Sequence, residues 1–184
     1  HDEDLVRGFL FNEKIIQSIS EIDKIESYGD KVGQYNIQNK IQITLNNSKN
    51  INISKIKRNF LTNSSCGVCG KTSLDSIEVI KQEKLDLSYP LIEEEVIMKS
   101  PKLLIDRQSE FSRTGGIHAS ALIDKNSNIV ALREDVGRHN ALDKLIGFSL
   151  KKKIIDPRNQ FLACSGRLNF ELVQKGLMAN IGLM

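Results

Sequence analysis

The order in which helical and strand-like periodicities follow one another over residues 100–184 limits the fold more than any other feature of this sequence. Apolar residues recur about every 3.6 residues in helices and every second residue in strands. The segment predicts, in order, a helix opening at Ser100-Pro101 and ended by Thr114-Gly115-Gly116, strands Ile117–Ile123 and Ile129–Leu132, helix Arg138–Leu150, strand Phe161–Cys164 and a helix carrying Phe170, Val173 and Leu177. Helix, hairpin, helix, strand and helix together predict an α/β layered domain.

The first 60 residues carry weaker signals and predict a smaller α+β portion. Helical spacing behind acidic residues covers Asp4–Ile16, and a period of two covers Tyr35–Leu45, which predicts two strands around a turn near Asn39. A shorter strand is expected over Ile51–Ile56. The predicted organisation is residues 1–60 as the small portion, residues 61–72 as a mobile Cys-x-x-Cys loop, and residues 73–184 as the α/β core.

Composition excludes several classes of protein. Of the 184 residues, 40% are hydrophobic and 27% are charged, as in ordinary globular domains, and no apolar run reaches the roughly 18–20 residues that span a bilayer. A net charge of +3 and an aromatic content of 5% argue against nucleic-acid binding. His1-Asp2-Glu3-Asp4 is not a signal peptide. The sequence therefore predicts a cytoplasmic protein without nucleic-acid or membrane partners.

The cysteines point to a reactive or metal-binding loop. Cys66 and Cys69 form a Cys-x-x-Cys motif in a segment without periodicity, whereas Cys164 stands alone in an apolar strand and is expected to be a small buried residue. In a cytosolic protein this motif indicates half of a zinc site, a redox pair or an activated thiol. A zinc site needs two more ligands, for which His118, His139 and Cys164 are the candidates.

Three polar segments marked by glycine stand out against the predicted scaffold: Thr114-Gly115-Gly116-Ile117-His118, Arg133–Lys144 and Ser165-Gly166-Arg167. Each lies at the end of a predicted element, and strands of one sheet bring such ends to a common edge. Unpaired N–H groups and a positive dipole lie at a helix start, and guanidinium groups bind phosphate in a bidentate manner. The three segments are therefore expected to converge into a pocket for a ligand with phosphates.

The residues themselves argue against deaminase chemistry. Zinc deaminases use His-x-Glu followed downstream by Pro-Cys-x-x-Cys, and the glutamate moves the proton. Here His118-Ala119-Ser120 has serine in place of the glutamate, and the Cys66/Cys69 pair lies upstream without a preceding proline.

Taken together, these motifs resemble the formate dehydrogenase accessory sulfurtransferase family (FdhD type). The resemblance follows the chain in order through Gly8-Phe9-Leu10, Ser64–Lys71, Thr114–Ala119, Arg133–Lys144 and Ser165–Arg167. Family members usually begin with further strands and continue past the last helix into a segment containing Ser-Ala-Pro-Thr and a final strand. The sequence is therefore expected to be truncated at both ends.

The resemblance implies a cytidine-deaminase-like core that does not deaminate, assembled as a homodimer. The implied activity is a sulfurtransferase reaction from a cysteine desulfurase to the molybdenum cofactor of formate dehydrogenase, a bis-molybdopterin guanine dinucleotide. Cys66 would carry the persulfide and Cys69 would assist or resolve it. No resident metal ion is expected, and the alternative is a zinc-stabilised binding module without sulfur chemistry. The expected cofactor-binding residues are Thr114, Gly115, Gly116, His118, Arg133, Arg138, His139, Gly166 and Arg167.

Overall fold

The structure is a computed structural model that describes residues 1–34, 36–46 and 91–184. The helices in these ranges are α1 (Asp2–Asn12), α2 (Glu94–Arg107), α3 (Ser109–Thr114), α4 (Arg138–Lys152) and α5 (Phe170–Met178), with one 3₁₀ turn at Ile19–Glu21. The strands are β1 (Ile22–Val32), β2 (Ile37–Leu45), β3 (His118–Asp124), β4 (Ile129–Asp135) and β5 (Gln160–Cys164). None of these helices combines the length and the apolar character that a membrane crossing requires.

A three-stranded antiparallel sheet in the order β4-β3-β5 organises the second half of the chain. β3 pairs with β4 from His118 opposite Asp135 onward, and with β5 from Ser120 opposite Cys164 onward. Because both neighbours run antiparallel to β3, the start of β3 lies at the same edge as the ends of β4 and β5. The turns that lead into α4 and α5 therefore leave the sheet at this one edge.

Helices cover both faces of this sheet. Successive side chains of β3 point to opposite faces, so Leu122 packs with Leu142, Leu145 and Ile146 of α4. Ala121 and Ile123 pack instead with Leu104 of α2. Two hydrophobic clusters, one on each side of the sheet, give the mixed α/β architecture that the periodicities predict. The finer expectation, a cytidine-deaminase-like layering, stays a prediction.

Two glycines allow the backbones of α1 and α4 to lie in direct contact. A methyl group at Gly147 would overlap the main-chain oxygen of Asp4, and one at Gly8 would overlap the main-chain oxygen of Asp143. Arg133 of β4 reinforces the contact, since its Nε and terminal nitrogen each lie 3.1 Å from Asp4 Oδ2. Helix α1, expected within the small N-terminal portion, is thus packed directly against the α/β core.

The structure corrects four expectations about individual elements. The single helix predicted to end at Thr114-Gly115-Gly116 is divided at Gln108 into α2 and α3. Helix α2 begins at Glu94 instead of Ser100, and Pro101 lies inside it. Val96 and Leu103, on either side of the proline, pack against the sheet. The free energy gained from this packing outweighs the loss of the backbone hydrogen bond that proline cannot make. Helix α1 ends at Asn12, before Ile16. Asn39 lies within β2 instead of at a turn.

The first strand of the N-terminal hairpin has no counterpart in the sequence-based prediction. β1 pairs antiparallel with β2, with Ile22 opposite Leu45 and Val32 opposite Ile37. Most side chains of β1 are exposed, so apolar and polar residues do not alternate along it. The predicted strand Ile51–Ile56 and the predicted loop 61–72, with Cys66 and Cys69, lie outside the described residues.

Candidate functional site

The common edge of the sheet brings His118, Arg138 and Gly166 into contact. A Cβ atom placed on Gly166 would lie 3.1 Å from His118 Nδ1 and 3.6 Å from Arg138 Cδ, so glycine leaves the room that these two side chains use. Ser165 closes the turn onto β3, because its N–H donates to the Ala119 oxygen at 3.0 Å and its Oγ accepts from the Ala119 N–H at 2.8 Å. The turn after β5 is therefore held beside the start of α4.

The start of α4 adds a positive potential to this cluster. Gly137 is the N-cap residue and has no side chain that could accept from the first helical N–H groups. The partial positive charge of a helix N-terminus favours an anion there. Asp135 fixes the approach to the helix, since its Oδ1 accepts from the Gly137 N–H at 2.8 Å and its Oδ2 lies 2.5 Å from Lys144 Nζ. Burial opposes ionisation of Asp135, but these hydrogen bonds outweigh it and lower its pKa.

The acidic residues of the segment 133–144 have partners of their own. Glu134 accepts from the N–H groups of Glu110 and Phe111 at 3.1 and 3.0 Å and so holds the start of α3. Asp143 is buried and lies 2.6 Å from Lys175 Nζ of α5. Asp135 forms an ion pair with Lys144. All three carboxylates of this segment therefore interact with backbone N–H groups or with lysines.

His139, the second residue of α4, contacts the start of α5. Its Nε2 lies 3.1 Å from Asn169 Nδ2 and 3.4 Å from Glu171 Oε2. Burial lowers the pKa of His139, and the positive charges of Lys175 and Arg138 act in the same direction. The negative charges of Glu171 and Asp143 oppose that shift without reversing it.

This lowered pKa predicts a stability change with pH. Because the unfolded chain binds a proton at its ordinary value, about 6.5, before folded His139 does, protonation favours unfolding. We expect the free energy of unfolding to fall as the pH drops below about 6.5, and His139→Gln to remove this component. Urea denaturation of both proteins at several pH values gives the difference between them. A difference that does not change with pH would contradict the assignment.

The sequence as a whole matches one known family. A sequence model described as the FdhD/NarQ family matches residues 1–184. The chain belongs to the FdhD/NarQ family. This family identity confirms the resemblance that the motifs indicated.

Individual FdhD relatives give the same result over nearly all of this chain. Proteins named sulfur carrier protein FdhD from Picrophilus torridus and Corynebacterium efficiens are 40% and 37% identical over 183 and 186 residues. The matches cover 100% and 98% of this chain but 65% and 66% of those relatives, so the chain spans about two thirds of their length. A solved structure assigned as a formate dehydrogenase accessory protein, from Desulfotalea psychrophila, has a TM-score of 0.62 at 22% identity and covers 98% of this chain and 61% of its own, which shows the same fold.

Eight of the nine expected FdhD-type ligand residues lie in two groups, and Arg133 belongs to neither. His118, Arg138, His139 and Gly166 lie at the common edge, and Arg167 follows Gly166 on the exposed side of the turn. Thr114, Gly115 and Gly116 are exposed just before β3; Gly115 ends α3 with a positive φ of 67°, and Thr114 Oγ1 donates to the Glu110 oxygen.

The side chain of Arg133 makes contacts within the fold. Its side chain is 13% exposed, and the guanidinium is bonded to Asp4 and lies 3.8 Å from the centre of the Phe148 ring. A charged guanidinium on a carboxylate and over an aromatic face contributes to packing between β4, α1 and α4. The geometry thus separates Arg133 from the cluster built by Arg138, and its expected role in ligand binding stays untested.

The surroundings of Cys164 do not favour a reactive thiolate. Its Sγ lies 3.6 Å from Ser120 Oγ, and burial raises the pKa of the Cys164 thiol. A raised pKa keeps the thiol protonated at neutral pH and a poor nucleophile. Within the described ranges, no group of three or more His, Cys, Asp or Glu side chains is arranged to hold a metal ion.

Sequence reasoning missed Asn169, Glu171 and Lys175 as neighbours of the cluster. Asn169 is the N-cap residue of α5, and its Oδ1 accepts from the Leu172 N–H at 3.0 Å. The available signal was an asparagine directly before a helical pattern, which predicts a cap but does not reveal that the other end of the amide reaches His139.

A groove of about 500 Å³ begins beside the Ser165-Gly166 turn and runs between α2 and β5. Most of its lining is apolar, including Ile97, Leu104 and Leu168. Gln108 is 3% exposed and also lines the groove, and its Nε2 has no hydrogen-bond partner among the described residues. The groove therefore joins an apolar slot that has one buried amide donor to the cationic edge.

Proposed function

We propose that this chain is a sulfur carrier that accepts persulfide sulfur from a cysteine desulfurase and supplies it to the molybdenum cofactor of formate dehydrogenase. In the loading step, the Cys66 thiolate attacks the outer sulfur of the donor's cysteine persulfide. A sulfur–sulfur bond forms on Cys66, the donor's sulfur–sulfur bond breaks, and the donor cysteine leaves as a thiolate. No external oxidant or reductant is needed.

Cys69 completes the proposed cycle as a resolving thiol. Attack of the Cys69 thiolate on the Cys66 sulfur forms a Cys66–Cys69 disulfide and releases hydrosulfide for the acceptor. Two thiols separated by two residues suit this exchange. The carrier is then restored when a cellular dithiol reduces the disulfide.

The observation that carries the proposal is the match of the whole chain to the FdhD/NarQ family, with relatives named sulfur carrier proteins. The environment of Cys164 supports the choice of thiol, because burial raises its pKa and leaves Cys66 and Cys69 as the candidates. The sulfur donor, the formate dehydrogenase acceptor, a homodimeric state and a cytoplasmic location are part of the same proposal.

We infer that the common edge binds the guanine nucleotide ends of bis-molybdopterin guanine dinucleotide, which is the substrate. Arg138 and the start of α4 supply positive charge, and Gly166 lets the His118 and Arg138 side chains lie beside the turn. The groove next to this turn offers an apolar slot with the Gln108 amide. Phosphates would lie at the cationic edge, and a heterocyclic ring suits the apolar slot.

This site predicts nucleotide binding that depends on two arginines. Arg138→Ala or Arg167→Ala removes a charge-assisted contact of about 1.5–3 kcal/mol, which corresponds to roughly a ten- to hundredfold loss of affinity for GDP. Isothermal titration calorimetry without added metal measures this loss, and higher salt should weaken wild-type binding.

Arg158→Ala is the matched control, because Arg158 is an exposed arginine near the opposite edge of the sheet, in the turn before β5. Its affinity should equal that of the wild type. Unchanged GDP affinity in the Arg138 and Arg167 variants, together with earlier melting, would assign the arginines a structural role and place the nucleotide elsewhere.

A further inference from the structure

The side chain of Asn169 is held in one orientation by the start of α5. Its Oδ1 accepts from the backbone N–H of Leu172 at 3.0 Å. A backbone N–H can only donate, so the oxygen, and not the nitrogen, of the amide must face Leu172. The Nδ2 group therefore faces His139, where it lies 3.1 Å from Nε2.

This orientation decides which nitrogen of His139 carries the proton. An amide Nδ2 group can only donate, so His139 Nε2 must accept and must be unprotonated. The neutral ring then has its proton on Nδ1. Glu171 Oε2, at 3.4 Å from the same Nε2, acts on the ring through its charge and not through a hydrogen bond from it.

Charged groups from both neighbouring helices face this ring. Arg138 and Asp143 belong to α4, and Glu171 and Lys175 belong to α5. Lys175 is bonded to Asp143 at 2.6 Å, so these two largely balance each other. The positive charge of Arg138 and the negative charge of Glu171 have opposite effects on the ring. The hydrogen bond from Asn169 is therefore the contact that selects the tautomer.

We propose that Asn169 is a positioning residue that holds His139 as the neutral Nδ1–H tautomer at the edge of the sheet. The assignment of the tautomer is independent of the proposed function, and only its role in ligand binding rests on that function. There, His139 offers the ligand a neutral donor, and Arg138 with the helix start supplies the positive charge.

Nitrogen-15 NMR of the histidine side chains tests the tautomer without any ligand. In the wild-type chain at pH 7, we expect His139 Nε2 to resonate as a bare nitrogen and Nδ1 as a protonated one. A protonated Nε2 in the wild-type chain would overturn the proposal by itself, whatever any variant does.

Asn169→Asp gives the sharpest second measurement. A carboxylate oxygen still accepts from the Leu172 N–H, so the cap remains, but the group that faces Nε2 changes from a donor to a negatively charged acceptor. We expect Nε2 to become protonated and the His139 titration midpoint to rise by about 1–3 pH units. A bare Nε2 in this variant would contradict the proposal.

Glu171→Gln is the matched control, because it removes the neighbouring charge and leaves Asn169 in place. Its Nε2 should stay bare, because the Asn169 donor remains; protonation of Nε2 in this variant would show that the Asn169 amide does not fix the tautomer and would contradict the proposal. Adding GDP to the wild-type chain separates this inference from the proposed function. Failure of GDP to bind, with Nε2 bare, would reject the nucleotide site alone, whereas a protonated Nε2 would reject the role of Asn169 alone.

Discussion

Cys66→Ser will abolish sulfur loading while the chain stays folded. The hydroxyl is a far weaker nucleophile than a thiolate and cannot hold sulfur as a persulfide. We expect no sulfur above background in a transfer assay from a cysteine desulfurase with labelled cysteine, and no recovery of activity in a formate dehydrogenase that requires the carrier. Thermal melting of the variant should match that of the wild type.

Two further cysteine variants are the controls for this result. Cys69→Ser should still load sulfur but release it poorly, because no thiol remains to form the disulfide. Cys164→Ala should load and deliver sulfur as the wild type does, since Cys164 is half-buried and burial raises the pKa of its thiol. Sulfur delivery by Cys66→Ser at the wild-type rate would remove Cys66 from the mechanism.

Lys175→Met will produce the largest loss of stability among substitutions at the edge of the site. Lys175 Nζ lies 2.6 Å from Asp143 Oδ2, and the two side chains are 6% and 3% exposed. Removing the lysine leaves a buried carboxylate whose remaining hydrogen bond among the described residues is the one from Asn12 Nδ2. Breaking such a pair on one side costs about 3–5 kcal/mol, which urea denaturation measures as a lower midpoint.

The double variant Asp143→Asn with Lys175→Met tests whether the charge is the cause. Without a carboxylate, nothing buried and negative remains unpaired, so the double variant should be more stable than Lys175→Met alone. The two single losses should therefore not add. A double variant that loses the sum of both single effects would show that packing volume, and not the ion pair, explains the result.

The strongly patterned elements of the core were predictable from the sequence. Helix α4 begins at Arg138 as expected, and β3, β4 and β5 lie within a few residues of their predicted bounds. These elements bury apolar residues on a defined face, so their periodicity is visible in the sequence. The exposed strand β1 buries little and therefore left no alternating pattern.

Long-range contacts explain what the sequence did not reveal. Proline is favoured at the first position of a helix, so Pro101 predicts a helix start, whereas packing of Val96 against the sheet extends α2 in front of it. The meeting of His118, Arg138 and Gly166 followed from the common edge of the sheet. The contacts of Arg133 with Asp4, 129 residues away, and of Asn169 with His139 follow only from the packing of helices.

Mass spectrometry of the chain after incubation with a cysteine desulfurase and cysteine tests sulfur transfer most directly. We predict a mass gain of one sulfur atom, located on the peptide that contains Cys66 and removed by a reducing thiol. The unmodified mass on that peptide, or one tightly held zinc ion per chain whose chelation unfolds the protein, would contradict the sulfur-carrier account and favour a zinc-stabilised binding module.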